Sequence, residues 1–435
     1  MKLLEDKLLP IGAKLSANRY LKAINKAFMI ILPLTIFGSI FTLLSSFPID
    51  AWTAWLSSSG LSFWLSLPSK LTIDLIALYT VVAIGYAYAK EEGCDGFAGG
   101  LAGLVSFFIV TPLAQIVTKE GATVTAISMD WVGARGLFVA MIVGICAAQL
   151  FVFFTKKGLV IRMPEGVPPM VSKSFSSLIP IFLIGTIFLV IAYVFSLTSF
   201  GSVHNLIYTF IAMPLQAVGG SLAGAIVFTI ALHLLWFFGI HGGNVVRSIT
   251  NPFLIPLALE NLAVYQAGGT PEHIYTSVFR DTYNFGGAGM TISLCILMIF
   301  FAKSERYKTL GKLALPANIF YINEPITFGT PIVLNTTLLI PFILAPLITT
   351  LLAYGLTAIG VLPVLIGYQI PWSMPPIISG FIQGGFIVAA FQVFCIFLTF
   401  AIYYPFFKVI DKQARLEEKA ILENKSVLEE IAENA

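Results

Sequence analysis

Nine apolar runs, each long enough to cross a bilayer, constrain this chain more than any other feature. They fall at about 27–47, 70–90, 97–118, 135–155, 178–198, 221–240, 284–302, 334–355 and 381–405. A helical span needs about 20 mostly apolar residues. In lipid every backbone N–H and C=O must be paired within the protein, which leaves a helix bundle as the economical arrangement for runs of this length. The expected fold is therefore an all-α polytopic membrane protein. Composition agrees: 57% of the 435 residues are hydrophobic and 11% charged, against about 25% charged in soluble domains. That balance excludes a disordered chain, a fibrous repeat, a nucleic-acid-binding domain and a soluble two-domain enzyme.

Charge placement sets orientation. Basic clusters sit at residues 2–26 (Lys2, Lys7, Lys14, Arg19, Lys22, Lys26), at Lys156, Lys157, Arg162 and Lys173, at Lys303, Arg306, Lys308 and Lys312, and at Lys408, Lys412, Arg415 and Lys419. The positive-inside rule assigns all four to the cytoplasm. The loops at 48–69 and 119–134 carry little positive charge and suit the outside. Six spans bring the chain back inside near residue 241, yet the run at 284–302 ends inside at Lys303. Something in 241–283 must therefore cross, and 252–266, with Pro252, Pro256 and Glu260, is the best candidate. The expected count is ten crossings with both termini cytoplasmic in the cell membrane. The basic stretch 1–26 does not read as a cleavable signal.

The two halves differ. Residues 239–288, 315–335 and 367–385 are rich in Gly, Pro and Asn, whereas the first half is regular. Irregular backbone at membrane depth is tolerated where it is buried in protein or lines a cavity, and interrupted helices of this kind mark binding sites in transporters. The Pro-rich segment 163–171 joins the halves. The expected divisions are a basic N-terminal segment 1–26, a unit 27–200 of about five spans, a unit 201–406 of about five spans plus re-entrant segments, and a charged cytoplasmic tail 407–435.

An ionisable side chain within an apolar stretch is a functional candidate by default. Glu324, in IFYINEPITFGTPIVL, needs a hydrogen-bonding partner or a proton of its own. Ionised, it accepts from two sugar hydroxyls; protonated, it donates to one. The structural alternative is an ion pair joining two helices. His241 lies in WFFGIHGGN, where Gly239, Gly242 and Gly243 permit close backbone approach, and an imidazole donates and accepts at once; the alternative is a hydrogen-bonded core histidine. Trp236 and Trp372 are candidates for stacking on a sugar ring, or are ordinary core residues. Trp52, Trp55, Trp64 and Trp131 suit an interfacial belt. His233 reads as structural, and His204 and His273 as loop residues. Arg247, Arg280 and Asp281 read as salt-bridge glue. Cys94, Cys146, Cys295 and Cys395 form no CxxC pair, so neither a disulfide framework nor a metal site is indicated, and no cofactor is expected. Loops for nucleotide hydrolysis and the GxSxG and HExxH motifs are absent.

Three segments, MPEGVPPMVSKSF (163–175), FGIHGGN (238–244) and NEPITFGTPIVLN (323–335), resemble the membrane subunit IIC of the phosphoenolpyruvate-dependent sugar phosphotransferase system, in its lactose/cellobiose/diacetylchitobiose branch. The resemblance runs over essentially the whole chain. Thr336 stands where the family pattern carries Pro after Asn335. The resemblance implies a homodimer of ten-helix subunits, in which 27–200 is the scaffold and dimerisation unit and 201–406 the sugar-binding transport unit. It also implies a site built from His241 and Glu324, with Asn323, Asn244, Trp236 and Trp372 near the sugar. The implied function is to bind a β-linked disaccharide, carry it inward by a rigid-body alternating-access movement and present its C6 hydroxyl to a phosphocysteine on a separate soluble IIB protein. Glu324 would accept from that hydroxyl and His241 would orient it; no phosphoryl-carrying residue of the chain's own is implied. The alternative is a proton-coupled sugar symporter with Glu324 and His241 as the relay.

Overall fold

The computed structural model describes residues 17–45, 50–119, 121–164, 166–330, 332–333 and 335–433; Lys2, Lys7 and Lys14 of the basic segment lie outside the described residues, as do Asn434 and Ala435 of the tail. Among these residues the architecture is all-α apart from one short hairpin. Six helices among them are long and apolar enough to cross a membrane, or up to eight if each of two bent pairs is one span. The ten crossings expected from charge placement exceed that number.

The first half begins with α1 (Arg19–Ser45), whose start is capped by the Asn18 side chain accepting from Tyr20 and Leu21 N–H at 3.0 and 3.1 Å. Residues read as an outer loop instead carry α2 (Asp50–Ser59) and α3 (Leu61–Thr72). A break at Asp74 leads into α4 (Ile76–Glu91), and Asp95 caps α5 (Gly96–Val110). Glycines set the α4–α5 contact. A Cβ on Gly85 would collide with the Gly99 carbonyl oxygen, and one on Gly100 would stand 2.9 Å from the Val82 oxygen. Small residues bring two backbones together in lipid, where no hydrophobic effect drives helix pairing. The chain continues through α6 (Leu137–Lys156) and α7 (Pro169–Ser196).

The apolar run at 97–118 is not one helix. It stops at Val110, before Pro112, which has no N–H to continue the ladder. Strands β1 (Leu113–Val117) and β2 (Thr123–Ile127) follow as an antiparallel hairpin with Leu113 opposite Ile127. Ile116, Val117, Thr123, Val124 and Thr125 are β-branched residues that favour the pleated ribbon.

The second half opens with a helical segment that the apolar runs had not suggested. It comprises α8 (Val203–Ile207), a π turn at Tyr208–Ala212 and α9 (Met213–Gly219), bent by 69° from α10 (Leu222–Phe237). His204 is not a loop residue: it is fully buried on α8, its Nε2 3.0 Å from Thr111 Oγ1. The candidate crossing at 252–266 is the second part of a longer helix, α11 (Gly242–Gln266), which continues through Pro252 and Pro256. Its 25 residues reach about 37 Å at 1.5 Å each. Glu260 on this helix is paired with Gln216 at 2.9 Å and with His273 at 3.0 Å.

Beyond it lie α12 (Ser277–Tyr283), a bent passage into α13 (Ile292–Phe301), α14 (Glu305–Ile319), α15 (Glu324–Gly329), α16 (Thr336–Ala358) and α17 (Ile378–Glu433). Gly385, at φ 75°, interrupts α17 early. The Asp411 carboxylate holds the start of α14 through the Lys303 and Ser304 N–H groups and the Ser304 hydroxyl. The two halves meet where α11 packs on α1. There Gln266 donates to Thr42 and Ser69 at 2.9 and 2.5 Å, and the Gln369 N–H donates to Ser39 at 2.8 Å.

Candidate functional site

The site is built where helices start and stop in the second half. The α10 helix ends at Phe237, and a turn through Gly239 (φ 78°) re-aims the chain into α11. His241 is the N-cap of α11, its Nδ1 accepting the Asn244 N–H at 3.1 Å. A nitrogen that accepts carries no proton, so the neutral imidazole bears its hydrogen on Nε2. That nitrogen faces Glu324, at 4.0 Å from Oε1, and both side chains are 46% exposed.

Glu324 opens the short helix α15, followed at once by Pro325. Proline is tolerated there because the first N–H of a helix lacks an intrahelical partner anyway. Asn323, the preceding residue, is buried and donates to the Ala288 carbonyl at 2.7 Å and the Thr291 hydroxyl at 3.1 Å. Its side chain therefore pins the carboxylate-bearing segment to the 287–291 turn. Gly287 (φ 78°) makes this possible, since a Cβ there would collide with Asn323.

All six residues singled out from the sequence line one cavity of about 470 Å³: Trp236, His241, Asn244, Asn323, Glu324 and Trp372. Binding cavities for small molecules run about 300–1,000 Å³. The two tryptophans differ in what they offer. Trp236 is 5% exposed, its ring 4.5 Å from that of His241, so it braces the imidazole. Trp372, in the loop before α17, is 45% exposed and presents its indole. His233 also reaches the cavity wall, but its Nδ1 is 2.6 Å from the Thr229 carbonyl.

Further polar groups surround these. Arg247, Asn251, Arg280, Asn284 and Tyr321 line the same cavity. Asn244, Arg247 and Asn251 follow a 3–4 residue spacing along α11, so they share the face that His241 begins. That spacing was available in the sequence. The glue reading of the charged triad is correct: Arg247 reaches Asp281 at 2.9 Å and Arg280 reaches it at 3.0 Å.

The family model described as "Phosphotransferase system, EIIC" matches residues 25–346. The chain belongs to the phosphotransferase-system EIIC family. It is 37% identical over 429 residues to the lichenan permease IIC component of Bacillus subtilis (strain 168), covering 96% of this chain and 94% of that one. It is 36% identical over 432 residues to the cellobiose-specific EIIC component of Geobacillus stearothermophilus, covering 96% of each. The crystal structure of ChbC, the IIC component from the N,N'-diacetylchitobiose-specific phosphotransferase system, superposes with a TM-score of 0.91 at 35% identity, over 96% of this chain and 99% of that one. The chain is thus a membrane-embedded EIIC sugar permease, and the symporter reading finds no support in these relatives.

Proposed function

We propose that this EIIC component carries a β-linked disaccharide, of the cellobiose or diacetylchitobiose kind that two of the similar proteins are named for, and presents its C6 hydroxyl for phosphorylation by a phospho-IIB partner. The observation that carries the reading is the 4.0 Å gap between His241 Nε2 and Glu324 Oε1 across one wall of the cavity. The gap is too long for a direct hydrogen bond, and it admits a hydroxyl oxygen that accepts from His241 and donates to Glu324. Glu324 takes the proton as that oxygen attacks phosphorus, and the thiolate of the IIB cysteine leaves; general-base help of this kind is worth about 10²–10⁴-fold. Trp372 stacks on a sugar ring, and Asn244 and Asn323 complete the polar lining.

The protein works as a homodimer with ten crossings and both termini in the cytoplasm. The scaffold unit is residues 27–200, and the unit 201–406 moves against it as a rigid body. The apolar faces of α7 support a lipid or subunit contact, because 17% of its apolar window is buried within one subunit. The test uses sealed vesicles containing the purified protein and labelled disaccharide. Sugar phosphate should appear inside only when phospho-IIB is supplied. Accumulation of free sugar driven by a proton gradient alone would contradict the proposal.

A further inference from the structure

A second cavity of about 470 Å³ adjoins the first and shares with it Asn244, Arg247, Asn251 and Trp372. It runs from the sugar chamber to the start of α1, at Lys22 and Lys26. Four cations line it, Lys22, Lys26, Arg247 and Arg280, against a single carboxylate, Asp281. We infer that this cavity is a phosphoryl-binding subsite, in which Arg247 and Lys26 receive the phosphoryl group that the permease handles. The inference rests on the proposed phosphotransfer function and adds to it a place for the anion.

The arrangement around Asp281 carries the argument. Arg247 grips it with both terminal nitrogens, at 2.9 and 3.2 Å, and Arg280 donates to it from Nε at 3.0 Å. Two guanidiniums thus share one carboxylate and leave one positive charge uncompensated in the wall between the cavities. An unbalanced charge at such a site is costly, and a neutral disaccharide does nothing to relieve it. A phosphoryl dianion does, and a guanidinium fork matches its oxygens.

The two arginines are not equivalent. Arg280 is buried, and its other bonds go to the Thr250 hydroxyl and the Asn251 side chain at 3.0 and 3.2 Å. Arg247 is 34% exposed, and its remaining donors have no partner among the described residues. Lys22 is held by Glu91 at 2.5 Å, whereas Lys26 has no partner among the described residues. Lys26, unpaired among those residues, and Arg247, with donors to spare beyond its Asp281 pair, are therefore the two cations able to take a ligand. The preference of basic residues for the cytoplasmic membrane face explains the lysines but not Arg247, which faces the sugar chamber. Ion-pair glue accounts for the bonds to Asp281 but leaves the second positive charge unbalanced.

The test is competition binding on the full-length protein in nanodiscs, with labelled cellobiose or diacetylchitobiose, whichever binds, and its 6-phosphate as competitor. The sugar phosphate should compete at least as well as the parent sugar in wild type. Lys26→Glu should weaken the sugar phosphate about tenfold and leave the neutral sugar within twofold, and Lys26→Arg should restore the difference. A second arm replaces the competitor with phospho-IIB against its unphosphorylated form: dependence on residue 26 there assigns the subsite to the donor as well as the product. Equal loss of neutral and phosphorylated sugar, or sugar-phosphate binding indifferent to the charge at 26 in both arms, overturns the inference. Failure of both neutral disaccharides to bind at all would overturn the disaccharide reading on which the inference rests.

Discussion

His241 Nε2 and Glu324 Oε1 face each other at 4.0 Å from two different helix starts. The imidazole is held by its capping bond to the Asn244 N–H, and the backbone that carries Glu324 is held by the Asn323 side chain donating to Ala288 and Thr291. Supporting bonds of this kind favour the orientation on which proton transfer depends. The broken helices of the second half are thus the means by which two polar groups are brought together.

Capping and sugar contact by His241 can be separated. His241→Asn keeps a good N-cap acceptor but removes the Nε2 donor, whereas His241→Ala removes both. Loss of the cap costs about 1 kcal/mol, and loss of one hydrogen bond costs about 0.5–1.5 kcal/mol of binding, up to about tenfold in affinity. Both variants should bind disaccharide more weakly by calorimetry. The alanine variant alone should also lower the thermal midpoint in detergent.

Packing of α4 on α5 depends on glycine. A side chain at Gly85 would meet the Gly99 carbonyl, and one at Gly99 would stand 2.8 Å from the Gly85 oxygen, so neither helix can yield without moving backbone. Gly85→Val or Gly99→Val should destabilise the scaffold by about 1–3 kcal/mol or more. Gly60, with open space around it, provides a contrast: Gly60→Ala there costs only the strain of its positive φ. Thermal unfolding followed by size-exclusion chromatography would rank the three.

At the end of α4, outside the spans, Glu92 is held below the ordinary carboxylate range. The hydrogen bond from Lys156 at 2.6 Å is the main cause, with Arg19 adding to it. A depressed acid stabilises the fold above its unfolded value of about 4.3, and the contribution is lost as pH falls through the lower folded value. Lys156→Gln should therefore reduce stability at neutral pH and bring the acid limb of the unfolding profile to higher pH. The pair is partly exposed, so the change should be under about 1 kcal/mol and should shrink in high salt.

Much of this was legible in the sequence, for identifiable reasons. Long apolar runs announced α1, α6, α7 and α16, because length and hydropathy suffice for a straight span. Polar residues stranded in broken segments announced Glu324 and His241, because such groups are expensive in lipid. What was not legible depended on partners. Pro252 and Pro256 read as breaks, yet α11 runs through both, as membrane helices can when neighbours take up the freed carbonyls. Ile116 and Val117 looked like the end of a span until pairing with Val124 and Thr123 made them a hairpin. His204 looked like a loop residue until Thr111 and the rings of Phe107 and Trp131 enclosed it. The charge shared by Arg247, Asp281 and Arg280 needed the fold to bring α11 and α12 together.

The proposed transfer depends on a sugar hydroxyl that sits between His241 and Glu324 and gives its proton to the carboxylate. Its most direct test is single-turnover phosphorylation of bound disaccharide by phospho-IIB, comparing wild type with Glu324→Gln at saturating sugar. Glutamine keeps the shape and one acceptor oxygen, so sugar should still bind within about tenfold. The transfer rate should fall by about 100-fold or more, the lower end of what a general base supplies. Transfer at the wild-type rate in Glu324→Gln would rule out Glu324 as the base.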